Sequence, residues 1–117
     1  MSMSNKPILW LPFAAGGMLA ALLVPALMLV FVLDSLQLLP AANLDYGRVF
    51  AFASNPFARV ALFAVIALLL WHAAHRLRMT LQDIGVRSHG ARRVAARLCY
   101  GTATLASIAL IWAVLAL

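Results

Sequence analysis

The sequence predicts an all-α membrane protein with three transmembrane helices, and three observations carry that reading. Hydrophobic residues make up 66% of the 117 residues and mean hydropathy is +1.01, whereas a soluble domain is apolar over about half its length. Three apolar runs, Leu11–Leu33, Val60–Met79 and Leu98–Leu117, each come close to the roughly 20 helical residues needed to cross hydrocarbon. The cations are segregated. Lys6 stands before the first run, Arg76 and Arg78 at the inner end of the second, and Arg87, Arg92, Arg93 and Arg97 between the second and third, whereas only Arg48 and Arg59 stand between the first and second. By the positive-inside bias this places the N-terminus in the cytoplasm and the C-terminus in the periplasm. The whole chain, residues 1–117, reads as a single three-helix membrane domain with spans of about 11–38, 57–82 and 93–117.

Taken in order, Met1–Pro7 is a short polar lead and Trp10 stands where an aromatic anchors at headgroup level. The first span is too long for a signal peptide and has no small-residue cleavage site, so it is expected to stay as a span. Gly16-Gly17 near its inner end allows close approach of another helix or of a flat ligand, with helix packing the preferred reading, and Pro25 should kink the span. Pro40–Pro56 forms the outer connection, with Tyr46–Ala53 as a turn or two of amphipathic surface helix. Asn55-Pro56 then reads as an N-cap followed by a first-turn proline. Arg59 can reach the outer headgroups. Gly85–Arg93 is a polar, basic inner loop, and the hydroxyls of Thr102, Thr104 and Ser107 in the third span suit helix–helix contact.

The second span closes on Trp71–Asp83, a cluster of ionisable groups. At about 100° per residue, His72, His75, Arg76, Met79 and Asp83 share one helical face. His72 lies roughly 18 Å and Arg76 roughly 24 Å inward from Val60, near the inner edge of the hydrocarbon and at the depth of Trp10. Charged groups at that depth commonly mark a functional path. Three helices cannot bury such a stripe among themselves, so a free face should meet another protein.

Composition excludes several functions. With a single cysteine, Cys99, there is no intramolecular disulfide, and an iron–sulfur cluster held by this chain alone lacks its ligands. Glu is absent and no Asp lies mid-span, which counts against proton-coupled transport. No carboxylate pair, phosphate loop or nucleophile–base pair supports catalysis by the chain itself, and the basic residues read as topology rather than as a nucleic-acid surface. Two cofactor classes remain open. One histidine could ligate haem with a second ligand from another chain. Alternatively, the indole N–H of Trp10, the fork of Arg76 and the imidazole of His75 could face the ring oxygens of a quinone. A non-redox helical interaction protein also fits the composition.

The chain resembles the D-subunit of bacterial fumarate reductase, the smaller membrane anchor of quinol:fumarate reductase in the complex II superfamily. The resemblance rests on Lys6-Pro7 with Trp10 and Ala15-Gly16-Gly17-Met18; Tyr46 with Arg48-Val49 and Ala51-Phe52-Ala53; Arg59-Val60 with Leu62-Phe63; and Leu70-Trp71 with His75-Arg76 and Asp83. It implies a non-catalytic anchor in the bacterial inner membrane. Its partners would be a second anchor, the C-subunit of fumarate reductase, together with an iron–sulfur subunit and a flavoprotein subunit. It also implies a menaquinone site shared with those partners, no haem, and neither flavin nor iron–sulfur cluster in this chain. By motif, the quinone-binding residues would be Trp10, His75 and Arg76. His72 and Asp83 are secondary candidates, with Asp83 fixing the helix end, paired with Arg87 four residues on. After the His-Arg pair, where the family carries further histidines, this chain has Arg78, Met79 and Gln82. The related anchors of succinate dehydrogenase, which bind haem b, are the alternative.

Overall fold

The computed structural model describes residues 6–40 and 44–117. The polar lead lies outside the described residues as far as Asn5, as do residues 41–43 of the outer connection. Four helices follow in order: α1 (Lys6–Ser35), α2 (Tyr46–Ser54), α3 (Pro56–Ile84) and α4 (His89–Ala116). Among the described residues α1, α3 and α4 are long and apolar enough to cross a membrane, and no strand is present. The chain runs up, down and up. Helix α3 is central, in contact with α1, α2 and α4, while α1 and α4 do not pack on each other. Their separation leaves an open cleft over α3.

Local chemistry sets each boundary. Helix α1 stops at Ser35 rather than continuing to residue 38. Leu38 N–H bonds the Leu33 carbonyl and Gln37 N–H the Asp34 carbonyl, both at 2.9 Å. This is the Schellman pattern, and it requires a left-handed residue, here Gln37 at φ 57°. Asp45 caps α2, its carboxylate accepting from Gly47 N–H at 3.1 Å. Asn55 is the hinge between α2 and α3. Its side-chain oxygen accepts from Phe57 N–H at 3.0 Å, its own N–H bonds the Phe52 carbonyl, and Pro56 opens α3. The inner connection is only Gly85–Ser88. Gly85 takes φ 132° at the end of α3, and Ser88 Oγ caps α4 by accepting from Ala91 N–H at 3.2 Å. The basic stretch expected as loop up to Arg93 is therefore helical from His89, because the serine cap starts the helix before the arginines. Arg87 lies beyond the end of α3, so the i, i+4 geometry expected for pairing it with Asp83 is absent.

The interior is narrow. Ala58, Ala74, Ala95, Cys99 and Ala103 are the buried apolar side chains among those described. Ala95, Cys99 and Ala103 recur every four residues and form one stripe of α4, where Cys99 and Ala103 pack with Ala74 of α3. The hydroxyls expected at this seam serve their own helix instead. Thr102, Thr104 and Ser107 each donate to the carbonyl four residues earlier, at 2.7–2.8 Å. That pattern satisfies a hydroxyl in hydrocarbon without a neighbour. Leu22, Phe31, Leu105 and Trp112 remain largely exposed, as suits side chains that meet lipid or another helix.

Candidate functional site

The end of the molecule that carries the α3–α4 connection brings His75 and Arg78 together with the aromatic side chains of Trp10, Phe13, Trp71 and Tyr100. Along their helices, Trp10 lies about 6 Å from Lys6, His75 about 14 Å from Ile84 and Tyr100 about 17 Å from His89, at 1.5 Å per residue. A cavity of about 1150 Å³ opens there between α1 and α4, over α3. Helix α1 contributes Ile8, Trp10, Pro12 and Phe13, and α4 contributes Tyr100. The floor comes from α3, as Ala67, Leu68, Trp71, His75 and Arg78. Trp71, His75 and Arg78 follow i, i+4, i+7 spacing, which aligns them on one stripe.

The two histidines of the span differ in environment. His72 joins α3 to α1, with its Nδ1 3.0 Å from the Phe13 carbonyl oxygen. A carbonyl only accepts, so this nitrogen carries the proton. The His72 ring stacks on Phe13 at 4.7 Å and 14°. It lies over Gly17, where an added Cβ would come within 2.8 Å of Cε1. At Gly16 a Cβ would strike the Leu68 carbonyl and stand 2.8 Å from the His72 Cβ. The glycine pair thus admits a neighbouring helix within this same chain, and the His72 side chain fills the space it leaves.

His75 belongs to the cavity. Its ring is 4.4 Å from the Phe13 ring, and its Nδ1 lies 2.8 Å from the Tyr100 hydroxyl. That hydroxyl also accepts from Arg78 Nη1–H at 3.2 Å, and the Arg78 guanidinium lies 5.7 Å from the Tyr100 ring centroid. The contact gains cation–π attraction. Arg78 Nε is enclosed without a hydrogen-bond partner among the described residues. Trp71 stacks against Tyr100 at 5.8 Å and 24° on the same wall. Pro12 has no N–H, so the Ile8 carbonyl lacks the donor that a helix normally supplies four residues on, and both residues line the cavity.

Of the residues the sequence singled out, Trp10 and His75 meet at this cavity, while His72 faces the α1 backbone. Arg76 and Asp83 are exposed and stand outside the lining. Arg76 is rotated by about 100° from His75 on the helix. Phe13, Trp71, Arg78 and Tyr100 were not among the residues expected to bind the quinone. The spacing of Trp71, His75 and Arg78 was the available signal for two of them. Phe13 and Tyr100 come from other helices and carried no local signal.

The family model described as the fumarate reductase D-subunit matches residues 1–115. A Mycobacterium tuberculosis protein described as a fumarate reductase D-subunit is 42% identical over 113 residues, covering 96% of this chain and 88% of that protein. Proteins of the same description from Vibrio cholerae and Photobacterium profundum are each 34% identical over 105 residues. Those matches cover 89% of this chain in both cases, and 78% and 85% of the respective relatives. With the match spanning nearly the whole chain and all three membrane-length helices, the protein belongs to the family of fumarate reductase D-subunits.

Proposed function

We propose that this chain anchors a fumarate reductase complex in the bacterial inner membrane and forms part of its menaquinol site. The observation that carries this reading is the cavity over α3. It has an apolar, aromatic lining with His75, Arg78 and the Tyr100 hydroxyl joined by hydrogen bonds, and it lies toward the ends of the spanning helices that carry the α3–α4 connection. Such a shape suits a flat ring with an apolar tail, and ligand sites generally combine an apolar wall with a few placed polar groups. The indole N–H of Trp10 and the imidazole of His75 supply donors toward ring oxygens. The Ile8 carbonyl supplies an acceptor for a quinol hydroxyl. Arg76 is exposed outside the lining, so in this reading it reaches a ring oxygen only once a partner protein closes the open side. Oxidation of the quinol releases two electrons and two protons. The electrons leave through the iron–sulfur subunit to the flavoprotein, where fumarate with two electrons and two protons becomes succinate.

The remaining partner is a second anchor, the C-subunit, set against the lipid-exposed faces of this chain. The basic face with Arg87, Arg92, Arg93 and Arg97 lies on the cytoplasmic side by the positive-inside bias, beneath the two extrinsic subunits. The chain itself performs no catalysis in this account. Menaquinone is shared with the partners, and no haem is held.

The test uses the assembled complex. Arg76→Leu and Trp10→Phe should each lower menaquinol-linked fumarate reduction about tenfold, the effect of about 1.4 kcal/mol. Reduction driven by a reduced viologen, which enters at the extrinsic subunits, reports assembly when it is measured on the membrane-bound fraction. Quinol-linked turnover at the unaltered rate in both variants would refute the site. Loss of the viologen-linked rate as well would make the residue structural.

A further inference from the structure

From the bonding of the Tyr100 hydroxyl, we infer that Tyr100 is a positioning residue for His75, fixing the proton on Nε2 so that an N–H donor is left for the ring oxygen of the quinone. The inference rests on the menaquinol reading above and assigns a role to a residue of α4 that the His-Arg motif does not include. A guanidinium has donors and no acceptor, so the 3.2 Å contact from Arg78 Nη1 uses the Tyr100 oxygen as acceptor. The hydroxyl hydrogen is then free to point at the other neighbour, His75 Nδ1, at 2.8 Å. A nitrogen that accepts carries no proton, and the neutral ring therefore bears its proton on Nε2. The opposite tautomer would aim two donors, the imidazole Nδ1–H and the guanidinium Nη1–H, at one oxygen. It would also leave the hydroxyl hydrogen without an acceptor among the described residues.

The assignment makes the two histidines opposites. His72 must hold its proton on Nδ1, because its partner is the Phe13 carbonyl. His75 holds it on Nε2, and among the described residues no hydrogen bond uses that nitrogen. Four residues of three helices share the arrangement. Phe13 packs on His75 from α1, Arg78 orients the hydroxyl from one turn further along α3, and Tyr100 passes the orientation on from α4. His75 then meets the quinone ring as a donor, and a proton leaving the quinol goes to a different acceptor.

A double-mutant comparison on the purified four-subunit complex tests this. Glutamine places an amide N–H near the position of Nε2 and has no tautomer to fix. Tyr100→Phe should raise KM for menaquinol about tenfold when His75 is present. In a His75→Gln background, whose own cost is measured separately, the same change should add less than about twofold. An equal cost in both backgrounds would overturn the inference, because Tyr100 would then act independently of His75. Absence of any effect of Tyr100→Phe, with His75→Ala still raising KM, would also overturn it and leave the quinol site standing. If neither His75→Ala nor Trp10→Phe moves KM, the menaquinol reading itself fails. Should Tyr100→Phe prevent assembly, Arg78→Leu serves in its place. It removes the donor that orients the hydroxyl, so its cost must likewise shrink in the His75→Gln background, and an undiminished cost would overturn the inference.

Discussion

Gly17 and His72 illustrate how a single missing side chain fixes a contact between helices. The imidazole occupies the place of the absent Cβ and reaches the Phe13 carbonyl at 3.0 Å. Gly17→Ala should therefore lower the thermal stability of the detergent-solubilised complex by about 1–3 kcal/mol, the usual cost of forcing atoms into a packed site. His72→Ala removes the hydrogen bond and the stacked ring, and in membranes an interhelical hydrogen bond is worth about 0.6 kcal/mol on average. The double variant should lose little more than Gly17→Ala alone, because both changes break the same contact. Additive losses in a melting experiment would show that the two residues act separately. The Gly16-Gly17 pair was legible in the sequence as a point of close approach. That its neighbour would be His72 was not, because the two lie on different helices and carry no local signal of each other. The same holds for Tyr100, whose hydroxyl completes the His75 environment from another helix. Arg78 differs, since its i+7 relation to Trp71 was there to be read. The charged stripe through Arg76 drew attention to the adjoining face instead.

At the scale of the element, the helix ends obey capping chemistry that was partly visible beforehand. Asn55-Pro56 announced the start of α3, and the structure adds that Asn55 also terminates α2. Asn55→Ala should cost about 1 kcal/mol through loss of the bond to Phe57 N–H, while Asn55→Asp, which keeps an acceptor, should cost less. Chemical denaturation of the solubilised complex compares them, and equal losses would show that the cap contributes nothing. The end of α1 was harder to read. A glutamine gives no left-handed signal, yet Gln37 takes φ 57° there, at a cost that glycine avoids. Gln37→Gly should raise stability by up to about 1 kcal/mol, and a fall in the melting temperature would contradict the strain argument. The start of α4 was also obscured. The arginines from Arg87 to Arg97 resemble a solvated loop, but charged side chains on a helix that emerges from the membrane are equally well solvated. Ser88 starts the helix regardless.

At the scale of the molecule, periodicity and hydropathy were sufficient to predict three spanning helices, because hydrocarbon allows a lone segment to satisfy its backbone only as a helix. How the helices meet was not legible. In this chain α1 and α4 flank α3 without touching. The resulting cleft turns residues from three separate segments into one cavity. Small residues close the α3–α4 seam, and the large apolar side chains are left for lipid and for partner proteins. A second, smaller groove of about 480 Å³ lies along that seam, lined by Leu77, Cys99 and Thr102 among others. It has no cationic or imidazole side chain and gives a contrast within the same molecule. Cross-linking by a photoreactive menaquinone analogue in the assembled complex, followed by peptide mass spectrometry, tests the central claim most directly. Label is expected on the start of α1, between Ile8 and Phe13, and on Leu68, Trp71, His75 or Arg78 of α3, competed away by menaquinone. Label confined to the Leu77–Cys99–Thr102 groove, or absent from this chain while its partners are labelled, would contradict it.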